Sequence, residues 1–322
     1  MKKYVAWLLV VLMLVSFGLA SAETAPAKTL RVGISYPSIH VPWLVASAES
    51  YVKFGEERGY EVILTNADNS ADKQLADVED LISRQCDVIM IYSVDSEAIA
   101  PAIDAVKAAG IDCICLLREL EVRTAPDDYL FTMCGDTYQN GVTAATWLEN
   151  NLPGPKKIVM LTGPMSASDA VMRAEGFIET IDTFADKADF EIVATQNADW
   201  NRVEAQKVMQ NIIQSTNSDF NVLYAQNNEM ALGAIAAMKQ VGIVPGKDVT
   251  VVAIDASIET VQAIIAGDIA CTVSVPPAHG WYVYDLYEQY LAGEEVALRN
   301  LFPHGFVDGS NAEEALVDGT AF

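Results

Sequence analysis

The hydrophobic pattern of this chain changes period again and again. Short apolar runs rich in Val and Ile occupy residues 30–35, 61–64, 87–92, 111–117 and 129–134. The series continues at 157–163, 191–195, 221–226, 249–255 and 270–275. Continuous apolar runs of this length suit strands covered on both faces. Between them, apolar residues recur at helical spacing, as in Leu75, Val78, Ile82 and in Ile99, Ile103, Val106. Further helices are predicted over 169–184, 201–215, 257–266 and 278–292. Gly59, Gly110 and Gly242 stand just past three helices, where a left-handed residue favours glycine.

Strand and helix therefore alternate along most of the chain, which predicts an α/β fold with mainly parallel, doubly wound sheets and right-handed crossovers. Ten strands are too many for one small sheet, and the series divides near residues 134–136. The expected organisation is two lobes joined by several crossings. One lobe holds 29–135 plus 276–304, and the other holds 136–275. The tail, 305–322, reads as irregular and acidic and is placed near the hinge. Two such lobes enclose a cleft at the carboxyl ends of their strands, where open α/β sheets bind ligands.

Met1-Lys2-Lys3, an apolar stretch and Ala20-Ser21-Ala22 form a secretory signal over residues 1–22. The stretch is short for a membrane span, and no cysteine follows the cleavage site to take a lipid. Its removal leaves 300 residues and takes away two lysines, so the net charge moves from −24 to −26. So acidic a chain does not seek nucleic acid or anionic lipid. A monomer in the periplasm is expected.

Five cysteines make a poor disulfide framework for an exported protein. Cys113 and Cys115 alternate in one strand and read as small core residues. His40, His279 and His304 are scattered, so no metal or other cofactor is expected. His279 follows Pro276-Pro277 and reads as structural. Nucleophile elbows, phosphate loops, dinucleotide fingerprints and paired zinc histidines are absent from the sequence. The reading is a binding protein, not an enzyme.

Candidate chemistry gathers where strands end. Trp43 follows the first strand, Tyr92 the third, Arg118 the fourth and Asp136 the fifth. Trp200, Asn227 and Asp255 follow the strands at 191, 221 and 249. Indole faces stack on the C–H face of a sugar ring. Aspartate accepts from hydroxyls, arginine donates through a planar fork, and asparagine does both. Of the neighbouring pair after the strand at 221, Asn227 is expected to touch ligand and Asn228 to cap the next helix.

Several stretches resemble the ribose-binding branch of the type I periplasmic sugar-binding proteins. They are Asn197-Ala198-Asp199-Trp200-Asn201-Arg202, Arg173-Ala174-Glu175-Gly176-Phe177, Ala225-Gln226-Asn227-Asn228-Glu229-Met230-Ala231-Leu232-Gly233 and Val252-Ala253-Ile254-Asp255. The resemblance implies two Rossmann-like lobes joined by a multi-strand hinge, with a ligand closed between them and delivered to the permease of an ABC importer. A membrane receptor that senses the closed form is the alternative partner. Residue by residue, Trp43 and Trp200 match stacking positions, Arg118, Asn227 and Asp255 match polar sugar contacts, and Asp136 matches a hinge-side acid. Arg173 matches the motif's structural arginine. The chain departs from the family at Val41, Tyr92, Leu117, Val171 and Val275, where polar contacts are implied. The expected ligand is therefore a small sugar or a less hydroxylated ring compound.

Overall fold

The computed structural model describes residues 29–120 and 123–322; the expected signal segment, 1–22, lies outside the described residues. The chain opens with β1 (Arg31–Tyr36), α1 (Pro42–Glu57), β2 (Glu61–Asn66) and α2 (Ala71–Ser83). It continues through β3 (Val88–Ile91), α3 (Ala100–Ala108), β4 (Asp112–Leu116) and β5 (Thr132–Gly135). The second series is α4 (Thr137–Asn151), β6 (Lys156–Thr162), α5 (Ser168–Thr183), β7 (Phe190–Asn197) and α6 (Arg202–Ser215). It ends with β8 (Val222–Ala225), α7 (Asn228–Gln240), β9 (Thr250–Ile254), α8 (Ile258–Ala266) and β10 (Cys271–Ser274). The last elements are α9 (Gly280–Leu291), β11 (Arg299–Phe302), β12 (Gly305–Asp308) and α10 (Ala312–Ala315).

All ten strands expected from the apolar runs form. Two six-stranded sheets result, ordered β11-β5-β4-β3-β1-β2 and β12-β10-β9-β8-β6-β7. Every pairing is parallel except β10 with β12. In each sheet the first strand of the unit lies beside both the second and the third. That reversal of winding opens a crevice at the strands' carboxyl ends. The tail departs from the expectation of irregular chain: β12 closes the second sheet, and α10 follows it. Likewise β11, which the apolar pattern did not reveal, forms an edge of the first sheet. Both are short edge strands of mixed polarity, and an edge needs less continuous apolar sequence than a covered strand.

Three crossings join the units, at residues 136, 275–279 and 303–304. The second crossing ends when α9 docks on α1. There Gly280 N–H donates to Ser50 Oγ at 3.0 Å, and Tyr284 O–H donates to the Tyr51 carbonyl at 2.9 Å. A side chain at Gly280 would come within 2.6 Å of the Ser50 carbonyl, so only glycine allows this approach. His279, at this crossing, is buried and stacked on Phe302 with ring centres 4.4 Å apart. Its Nδ1 lies 3.0 Å from the Pro276 carbonyl, and burial lowers its pKa to about 4 despite that bond.

Candidate functional site

A cavity of about 550 Å³ lies between the two units, at the carboxyl ends of both sheets. Another concavity, about 720 Å³, runs along the outer face of α1 from Ile39 to Leu64. Its walls are aliphatic side chains with exposed Glu49, Lys53, Glu56 and Glu57, charges that stay in solvent, so the inter-lobe cavity is the candidate site.

On the N-terminal side, Val41 is extended and Pro42 begins α1, where a missing N–H costs nothing. The next residue, Trp43, reaches into the cavity, and its Nε1 donates to the Val275 carbonyl at 2.8 Å. Tyr92 follows β3 and is buried, its ring edge-on to Tyr36 at 5.3 Å. Burial pushes its phenol up to about 12, against the pull of Arg118. The Arg118 guanidinium sits 5.0 Å above the Tyr92 ring. It donates to the Ser93 and Val94 carbonyls and, through Nε, to Asp169 Oδ1 at 3.2 Å. Burial works against this charge, but Asp169 holds the pKa above the ordinary arginine value.

On the C-terminal side, Asp199 and Trp200 both take left-handed backbone, with φ of 54° and 55°. This tight turn after β7 presents the indole to the cavity. Gly163 makes the space: a Cβ there would lie 1.9 Å from Trp200 Cζ2. Asn201 closes the turn by accepting from the Val203 and Glu204 N–H groups at the start of α6. The adjoining Arg202 grips Glu229 with two bonds of 2.9 Å and also pairs with Glu259. Glu229, part of the motif after β8, is thus a structural tie between α6 and α7.

The asparagine pair corrects the expected roles. Asn227, not Asn228, is the N-cap of α7 and accepts from Met230 N–H at 2.9 Å. Its Nδ2 donates to the Trp200 carbonyl at 3.3 Å, and the residue also lines the cavity. Asn228 is the first helical residue, buried, with no partner for its Nδ2. Extended backbone at Asn227, φ −153°, is the geometry a cap requires, and helical backbone begins one residue later.

Asp255 ends β9 in left-handed backbone, φ 70°, and is buried in the cavity wall. Arg173 Nη2 lies 3.9 Å from its carboxylate. Burial raises the Asp255 pKa to about 7, with Arg173 opposing the rise. Arg173 Nη1 is committed to the Gln226 carbonyl at 2.8 Å, while its Nε is buried without a partner.

Trp43, Tyr92, Arg118, Trp200, Asn227 and Asp255 therefore meet around one cavity. Asp136 does not: it caps α4 at the first crossing by accepting from Gln139 N–H at 3.1 Å. Val41 lines the cavity, whereas Leu117, Val171 and Val275 do not. The motif arginine, Arg173, was expected to be structural alone, yet it faces the cavity. Asp169, also on α5, was missed. Its signal was a carboxylate in the first turn of a helix, one turn before Arg173. Left-handed backbone at Asp68, Asn69, Leu117, Asp199, Trp200 and Asp255 follows four different strands. Such conformations cluster where a scaffold holds a site in place.

Residues 32–295 match the periplasmic binding protein domain family. The chain belongs to this family. It is similar to the ribose import binding protein of Bacillus subtilis, with 29% identity over 78% of this chain and 77% of that one. The galactofuranose-binding protein of Escherichia coli is 28% identical over 84% of this chain and 85% of its own length. Among solved structures, one from Mycobacterium smegmatis in complex with β-D-fucofuranose superposes with a TM-score of 0.84. That pair shares 29% identity, covering 90% of this chain and 95% of the other. The two-sheet α/β fold is common to the chain and this structural neighbour.

Proposed function

We propose that this protein is the exported solute-binding component of an ABC sugar importer. It is released into the periplasm after loss of residues 1–22, acts as a monomer and catalyses no reaction. The observation that carries the reading is the convergence of two indoles, Trp43 and Trp200, with Arg173, Asp255 and Asn227 on a cavity of about 550 Å³. That volume falls in the range of small-molecule sites. The indoles supply apolar faces for a ring, and the carboxylates and guanidinium supply the fixed hydrogen-bonding groups that orient hydroxyls. The names of the relatives, ribose and galactofuranose binders among them, support the same class. Closure of the lobes over the sugar then creates the surface that a permease reads.

Calorimetry of the exported chain against neutral pentoses, hexoses and polyols tests this reading. One-to-one binding of at least one sugar with Kd below about 10 μM, near −7 kcal/mol, is the expected result. A chain that binds none of them while binding amino acids or nucleosides is not a sugar-import component.

A further inference from the structure

The cavity is chemically sided. From the N-terminal lobe, Val41, Leu44 and Val94 line it together with Trp43 and Tyr92. Several polar groups on that side are tied to partners within the protein. Trp43 Nε1 is bonded to Val275, and Arg118 is bonded to two carbonyls and Asp169. Ser38 Oγ accepts from the His40 N–H, and the His40 ring pairs with Asp68 at 3.3 Å. The Tyr92 and Ser38 hydroxyls, the Arg118 Nη2 group and exposed Asn69 at the rim are what this side retains for a ligand.

The C-terminal lobe supplies all three carboxylates of the lining. Asp255 has Arg173 no closer than 3.9 Å, so its carboxylate keeps its accepting capacity. Arg173 Nε is buried and unpartnered. Asp169 receives Arg118 and the Ala170 N–H on one oxygen, leaving the other. Asp169, Asp199 and Asp255 together offset Arg118 and Arg173, so no surplus positive charge awaits an anionic sugar.

We infer that the ligand is a neutral deoxy sugar or deoxy polyol, its hydroxyls turned to the C-terminal lobe and a methyl or methylene edge packed on Val41, Leu44 and Val94. A hydroxyl on that edge loses water and finds no partner, whereas a methyl group there gains contact. The inference rests on the sugar-binding reading above and narrows it.

Calorimetry of the exported chain with three matched pairs tests it: D-fucose against D-galactose, L-rhamnose against L-mannose, and 5-deoxy-D-ribose against D-ribose. At least one deoxy member is expected to bind about tenfold more tightly than its parent, equivalent to about 1.4 kcal/mol. Val94→Thr, which exchanges a methyl for a hydroxyl at nearly constant volume, is expected to cut that preference below about threefold. If each parent binds as tightly as its deoxy partner, or an undiminished preference persists in Val94→Thr, the inference falls and sugar binding stands. If none of the six binds, the inference falls, and the wider panel of pentoses, hexoses and polyols decides whether sugar binding stands.

Discussion

Arg118 and Asp169 form an ion pair across the cleft, Nε to Oδ1 at 3.2 Å, with both side chains nearly buried. Arg118 follows β4 of one sheet, and Asp169 lies in the first turn of α5 beside the other. Nearby, Ser96 N–H donates to the Ser166 carbonyl at 3.2 Å, and Glu119 N–H donates to Ser168 Oγ at 3.1 Å. One flank of the cleft is thus latched by direct bonds between lobes.

Asp169→Ala should loosen that latch. Breaking one side of a buried pair typically costs about 3 kcal/mol, so the melting temperature should drop by several degrees. Small-angle scattering of the ligand-free variant should report a larger radius of gyration. Unchanged melting and scattering together would mean that the pair does not hold the lobes.

The asparagines give a second prediction. Asn227→Ala removes the α7 cap and the bond that steadies the Trp200 turn. It should therefore lower stability by about 1 kcal/mol and weaken sugar binding as well. Asn228→Ala should leave the cap intact, and losing its unpartnered Nδ2 should cost little. Denaturation and titration of both variants decide it; a stable Asn227→Ala with full affinity contradicts the assignment.

The third concerns pH. Asp255 titrates near 7 in the folded chain because it is buried, against about 3.9 when unfolded. A raised acid pKa means that the folded state holds the proton longer. Asp255 therefore adds stability at low pH that is lost as pH rises through 7. Asp255→Asn should flatten this decline and make the ligand-free protein more stable than wild type at pH 8. Binding runs the other way: a sugar hydroxyl donating to Asp255 favours the ionised form, so affinity should rise from pH 6 to 8. Calorimetry in buffers of different ionisation enthalpy should detect proton release. Affinity flat over that range would rule Asp255 out as the acceptor.

Much of the scaffold was legible from the chain because covered parallel strands leave unbroken apolar runs and helices leave a 3.6-residue period. The edge strands β11 and β12 were not, since half of such a strand faces solvent or turn. Six of the seven candidate residues converge on the cavity because strand ends are where the topology delivers side chains. Asp136 caps α4 away from the cavity, and sequence does not separate the two roles because a cap and a ligand contact use the same carboxylate at the same kind of position. The Arg118–Asp169 pair joins residues 51 apart in sequence, and only the packing of two lobes brings them together. Left-handed turns at Trp200 and Asp255 leave no glycine to mark them.

Gly163 offers a fourth test. Gly163→Ala places a methyl where Trp200 Cζ2 now sits. The indole should be displaced, with affinity reduced at least tenfold and the melting temperature changed less than by a large-to-small core substitution. Intact affinity would show that the indole position is not needed.

The central claim is that the ligand is clasped by both lobes at once. Thermal-shift titration of wild type, Trp43→Ala and Trp200→Ala with the sugar that binds wild type most tightly tests it directly. Wild type should gain about 2.7 kcal/mol of stability at 100 times its Kd, and each variant should lose most of that gain at the same concentration. A full shift in either variant would place the ligand on one lobe alone and contradict the account.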